Sequence, residues 1–141
     1  MKRLAIVATF ASLLAISAIW TGQAQQPQGA TPPRFTGTST AMEGKDLTIA
    51  RRKFESGART YWHSHDRGQL LMVEQGKMRT QKRGQAMQEL GVGASDYTAP
   101  DVVHWHGAAP DQPLVQINAG FGGMAKWFNE VTADEYAGKK R

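Results

Sequence analysis

The chain has 141 residues, no cysteine and a formal charge of +5. That length holds one domain and no second core, and the lack of thiols excludes disulfides, thiolate ligands and cysteine nucleophiles. The basic residues are scattered (Arg51 to Lys53, Lys77, Arg79, Lys82, Arg83, Lys139 to Arg141). They form no helical stripe and have no aromatic ladder beside them, which argues against a nucleic-acid partner.

The N-terminus reads as an export signal. Lys2-Arg3 is a short basic start, Leu4 to Trp20 is apolar, and Gly22-Gln23-Ala24 offers small residues for a signal peptidase. A membrane anchor is the alternative, since the run is near the lower limit for spanning. Its flanks resemble a cleavage site rather than a stop-transfer, so residues 1–24 are expected to be a signal peptide, cut after Ala24. No cysteine follows the run, which excludes a bacterial lipoprotein. The expected product is a periplasmic protein of charge +3, free of the membrane. Residues 25–34, rich in Gln, Pro and Gly, read as a linker, and residues 35–141 as the folded domain.

Short strands with frequent turn signals fill that domain. Leu47 to Ala50 with Lys53-Phe54, Arg59 to His65, Leu70 to Glu74, Lys77 to Gln81 and Ala86 to Leu90 read as strands. Tyr97 to Ala99, Val102 to His106 and Leu114 to Asn118 continue the series. Met124 to Phe128 suggests a helical turn. Thr132-Ala133-Asp134-Glu135 spells a capping box for a final short helix through Tyr136. The pattern predicts an all-β sandwich or barrel with short C-terminal helices.

The four histidines are spent in two pairs, His63-Ser64-His65 and His104-Trp105-His106. Side chains at i and i+2 of a strand share a face, so each pair presents two imidazoles to one interior. Trp62 and Trp105 then face away, as packing for a second layer or a subunit interface, while Tyr61 falls on the histidine side. Four converging imidazoles suit zinc, iron, nickel, copper or manganese. Ordinary polar residues on half-exposed strands are the bland alternative, and two pairs using every histidine outweigh it.

The spacing is more specific than the pairs. Gly57, five residues, His63-Ser64-His65, three residues, Gln69, six residues, Gly76 resembles the first motif of the cupin superfamily, with Gln69 where most members carry glutamate. Pro100 to His104 resembles the second motif, without the usual glycine after the proline and with Ala108 where asparagine is common. Ala94 also follows Gly93 where an acidic residue is usual. A closer likeness joins Gly57 to His65, Gly68-Gln69, His104 to Pro110, Lys126-Trp127, Val131-Thr132 and Glu135-Tyr136 to a small single-domain cupin group. The best-described activity of that group is a manganese-dependent hydroxynitrile lyase. The resemblance implies a double-stranded β-helix, or jelly-roll. It implies one divalent ion on His63, His65, Gln69 and His104, with manganese preferred and iron, nickel or zinc as alternatives, and His106 nearby but unligated. It also implies a homo-oligomer, dimer or tetramer.

Three imidazoles and a carboxamide are neutral, so a divalent ion among them keeps its full charge as a Lewis acid. That leans towards non-redox catalysis on a small carbonyl-derived substrate. His106, whose pKa a neighbouring cation lowers, is the expected acid–base group, with a fourth ligand or an orienting residue as its other readings. Tyr61 and Asn118 are expected to contact substrate, with Gln116 in place of Asn118 if the last strand shifts by a residue. An iron dioxygenase and a non-catalytic periplasmic binding module are the rival functions.

Overall fold

The structure, a computed structural model, describes residue 36 and residues 38–139. The expected signal peptide, the linker and the start of the domain at residue 35 lie outside them. Every strand belongs to a compact unit spanning Ala41–Arg141. No helix among the described residues is long and apolar enough to cross a membrane.

Nine strands and one short helix follow in order. They are β1 (Thr48–Phe54), β2 (His63–His65), β3 (Gln69–Gly76), β4 (Met78–Lys82), β5 (Gln88–Leu90), β6 (Ser95–Thr98), β7 (His104–Ala108), β8 (Leu114–Gly120), β9 (Ala125–Trp127) and α1 (Ala133–Tyr136). One antiparallel sheet has the order β1-β8-β3-β6 and the other β5-β4-β7-β2-β9. The all-β jelly-roll expectation holds, as two facing sheets rather than a closed barrel. Pairing ends at β1 and β6 in one sheet and at β5 and β9 in the other.

Period-2 alternation divides the side chains between two cores. Leu71, Val73, Met78, Ala108 and Leu114 are buried together, with Phe54 and Leu90 at their margin. Trp62, Trp105 and Val131 form a second cluster, joined by Met87, Val103, Phe128 and Tyr136. The two tryptophans therefore face away from the histidines, as the alternation requires, and are covered by this chain's own C-terminal segment. Trp105 Nε1 donates to Gln81 Oε1 at 3.0 Å, which satisfies its one polar atom.

The C-terminal segment departs from its expected form in one place. Ala125–Trp127 is strand β9, paired with His63–His65, and not a helical turn. A β2 of three residues with β7 on one side leaves open backbone groups on the other, and β9 fills them. Tertiary pairing outweighs the local helix preference. The expected strand from Arg59 is also shorter: it is regular over His63–His65, with an isolated bridge between Arg59 and Gly107 upstream. The capping box forms as expected, with Thr132 accepting from the Glu135 amide and the Glu135 carboxylate returning to the Thr132 backbone. Tyr136 donates to Ala108 O at 2.8 Å, and Arg59 donates to Val131 O at 3.0 Å while lying 4.5 Å from the Tyr136 ring centroid.

Trp105 is fully buried behind the histidine strand. Trp105→Ala is expected to cost about 3–5 kcal/mol in urea denaturation through lost packing. A loss below about 1 kcal/mol, within the range of an exposed site, would show that the second cluster is not holding β7.

Candidate metal centre

The site is built on one register. His63 of β2 lies opposite His104 of β7, and paired residues of an antiparallel ladder point to the same side. Period 2 then adds His65 and His106 to that interior. The ring centroids of His63 and His104 are 4.3 Å apart, those of His63 and His65 5.1 Å, and those of His63 and His106 5.3 Å. Gln69, on the facing sheet, places Oε1 3.1 Å from His104 Nε2. All four expected ligands and His106 thus meet at one place. One ring nitrogen from each of His63, His104 and His106 lies within 4.8 Å of the other two, all three residues being buried, so His106 stands inside the group rather than apart from it.

Burial sets the charge of these rings. Desolvation brings His63 and His104 down to about 4, partly opposed by hydrogen bonds to the Tyr61 and Val102 carbonyls, with neighbouring histidines adding to the fall. His65 is lowered for the same first reason, and His106, by burial and then by His63 and His104 beside it, lies well below its ordinary value. At neutral pH the set is uncharged, the state in which imidazole binds a metal.

Hydrogen-bond partners then fix the tautomers. His63 Nδ1 donates to Tyr61 O at 2.9 Å and His104 Nδ1 to Val102 O at 3.1 Å. A carbonyl can only accept, so both rings carry the proton on Nδ1 and a bare lone pair on Nε2. His106 is the opposite case: Gln116 Nε2 donates to its Nδ1 at 3.1 Å. That places the His106 proton on Nε2.

This arrangement fits a cation. His104 meets acceptors at both nitrogens, Val102 O and Gln69 Oε1, and a neutral imidazole has one proton to offer. The second contact, lone pair against lone pair in a buried place, would be relieved by a cation that His104 and Gln69 both hold. His65 Nε2, also buried, has no hydrogen-bond partner among the described residues. The donor set of neutral nitrogens and an amide oxygen suits a divalent transition metal.

The other residues singled out by sequence take unequal parts. Tyr61 gives its carbonyl to His63, while its side chain is half exposed. Asn118 accepts from Gln116 Nε2 at 2.6 Å. The fully buried Gln116 is the one that reaches His106, and its Oε1 has no partner. Sequence reasoning missed a third group. Thr80 pairs with His106 and Lys82 with His104 across β4 and β7. From β6 the buried Asp96 receives an ion pair from Lys82 and a hydrogen bond of 3.0 Å from Thr80. No spacing in the sequence announces that neighbourhood, because it depends on which strand lies beside β7. A cavity of about 770 Å³ lies elsewhere, lined by Trp62, Arg83, Met87 and Glu135 on the tryptophan side.

Comparison with known proteins places this geometry in a family. Residues 50–119 match the Cupin domain family. A cupin-like protein of Thermotoga maritima MSB8 is 42% identical, over 67% of this chain and 74% of that one, with a TM-score of 0.64. The chain belongs to the cupin family. An (R)-mandelonitrile lyase of Granulicella tundricola is 40% identical to this cupin over 86 residues, spanning 59% of this chain and 66% of that protein. The DMSP lyase DddQ of Ruegeria pomeroyi DSS-3, at 15% identity and a TM-score of 0.53, covers 58% of this chain and 43% of its own and shares the fold.

Proton linkage gives a test of the neutral site. His63 and His104 titrate near 4 in the fold and near 6.5 when unfolded. Between those values the unfolded chain binds more protons, so the stabilisation is complete above about pH 6.5 and is lost as pH falls towards 4. The urea midpoint of metal-free protein is expected to decline over that window, and less steeply in His63→Asn/His104→Asn. Equal slopes for both proteins would contradict the neutral assignment.

Proposed function

We propose that this cupin is a metal-dependent lyase for small carbonyl-derived substrates, cyanohydrins being the first class to test. The observation that carries it is the opposed tautomers: His63 and His104 turn bare lone pairs to the centre, whereas His106 turns a proton. His63, His65, Gln69 and His104 would hold the ion, with manganese the first choice and iron, nickel or zinc the others. When bound, a divalent ion supplies Lewis acidity towards a hydroxyl, carbonyl or nitrile.

His106 is the acid–base group in this reading. Gln116 suits it because an amide serves either tautomer: Nε2 donates to a bare Nδ1, and Oε1, now unpartnered, accepts from Nδ1–H after the amide rotates. With Oε1 turned to Nδ1–H, Nε2 is free to take the substrate's hydroxyl proton. The carbon–carbon bond to the cyano group breaks, the oxygen keeps its electrons as a carbonyl, and the proton passes to the departing cyanide. Cyanide addition runs these steps backwards. Asn118 and Tyr61 are the other residues assigned to the substrate side. The likeness to the mandelonitrile lyase supports the substrate class.

The apolar run of residues 4–20 supports export to a periplasm. The exposed Ile49, Met72 and Tyr97 in the β1-β8-β3-β6 sheet support self-association as a dimer or tetramer, which sedimentation would show as more than one chain per particle.

Elemental analysis is expected to find about one manganese or iron per chain, absent from His63→Ala/His65→Ala. The loaded protein is expected to release benzaldehyde from mandelonitrile. His106→Ala should keep the metal while its turnover falls by about 10²- to 10⁴-fold. Loss of the metal in His106→Ala would make His106 a ligand and overturn the assignment. Substrate-dependent oxygen uptake would mark a dioxygenase, and metal binding with no turnover a binding module.

A further inference from the structure

Three cations follow one another on β1, and the structure treats them differently. Arg51 and Lys53 point to the outer side, where Arg51 Nε meets Glu74 Oε2 at 2.7 Å and Lys53 Nζ meets Glu55 Oε1 at 2.8 Å. Arg52 points the other way. It lies opposite Gln116 in the ladder, between the pairs Ala50–Asn118 and Phe54–Leu114, so it shares the face of Gln116. That face is the one turned to the histidines: Gln116 reaches His106, and the Phe54 ring centroid is 5.8 Å from that of His106. Among the described residues no carboxylate or hydrogen-bonding side chain engages Arg52.

Arg52 is exposed on the edge strand β1, and among the described residues no ion pair holds it. The histidines are neutral, and Asp96, the one buried carboxylate among the described residues, is already held by Lys82 and Thr80. An arginine offers a planar fork that matches a carboxylate with two parallel hydrogen bonds. Beside it, the unpartnered and fully buried Gln116 Oε1 awaits a donor. A ligand carboxylate would satisfy Arg52 while leaving Gln116 Oε1 to His106.

We propose that Arg52 forms a carboxylate subsite at the edge of the histidine centre, so that among small carbonyl-derived compounds this cupin favours those that also carry a carboxylate. The inference rests on the lyase reading for the reaction alone; the subsite itself is a matter of binding.

The experiment is calorimetric titration of the full folded protein with mandelate and with mandelamide, its uncharged isostere, with and without added manganese. Wild type is expected to bind mandelate more tightly than mandelamide. Arg52→Gln is expected to lose about tenfold or more for mandelate, as removal of a charge-assisted pair does, with mandelamide unchanged. Arg52→Lys should keep part of the preference, and Arg51→Gln all of it. Any pull of the ion on a carboxylate is common to wild type and variants, so their ratio isolates Arg52. Equal mandelate affinity in wild type and Arg52→Gln, equal losses for both ligands, or no binding of mandelate to wild type would each overturn the subsite. A protein that shows the mandelate preference yet never cleaves a cyanohydrin would fail the lyase reading and keep this one.

Discussion

The placement of His63 directly across from His104 is the constraint on which the rest of the site depends. That single pairing decides which side of two strands becomes chemical, because alternation then carries His65 and His106 to the same side and both tryptophans to the other. A slip of one residue would turn the histidines into the tryptophan layer. Bonds from Nδ1 to the backbone carbonyl two residues earlier complete the effect, since they hold each of these two rings in one tautomer. Fixing such a ring in advance removes part of the entropy that binding would otherwise cost.

The far side of β7 explains how so polar an interior is tolerated. Every residue of β7 is buried, so the strand has no solvated face. Trp105 packs with Trp62 and Val131 behind it, and the C-terminal segment supplies both the lid of that cluster and strand β9. β9 does more than close an edge: the Trp127 ring stacks on that of His63 at 4.7 Å, with an angle of 27° between planes. Gly107 contributes by absence, since a Cβ there would stand 2.4 Å from Ala58 O. The segment before β2 can therefore approach β7 closely enough for Thr60 N to donate to His106 O. Packing on one face thus holds the chemistry on the other.

Much of this was legible in the sequence, and the reasons are particular. Histidine pairs at spacing two, glycine at 57 and 76 and the capping box at Thr132 are local signals. Their outcomes are local too: Gly57 and Gly76 have φ of 76° and 78°, and a Cβ at Gly76 would lie 1.9 Å from Pro113 O. What was not legible depends on strands meeting across the sheets. The sequence of Ala125–Trp127 carries no mark that it will pair with His63–His65. Nothing in Thr80, Lys82 or Asp96 shows that they will meet beside His106 and His104. Gln116 and Asn118 share a face of β8, so periodicity alone was unable to choose between them. Gln116 is the one in contact with His106, and Asn118 is bonded to Gln116.

The charges of the interior form a consistent set once these neighbours are counted. Burial strips the protons from the histidines, and Gln69 stands where a carboxylate would have added a negative charge. Lys82 and Asp96 cancel each other beside His104, which removes the penalty either would suffer alone in a buried place. The protein therefore spends no net charge of its own on the centre. A divalent ion would keep its full positive potential there, which strengthens its hold on an anionic or polarised group. Arg52, exposed on edge strand β1, is an unpaired charge of the same sign on the face of Gln116. A negatively charged ligand is the partner that suits Arg52, and its register beside Gln116 sets that ligand at the edge of the centre.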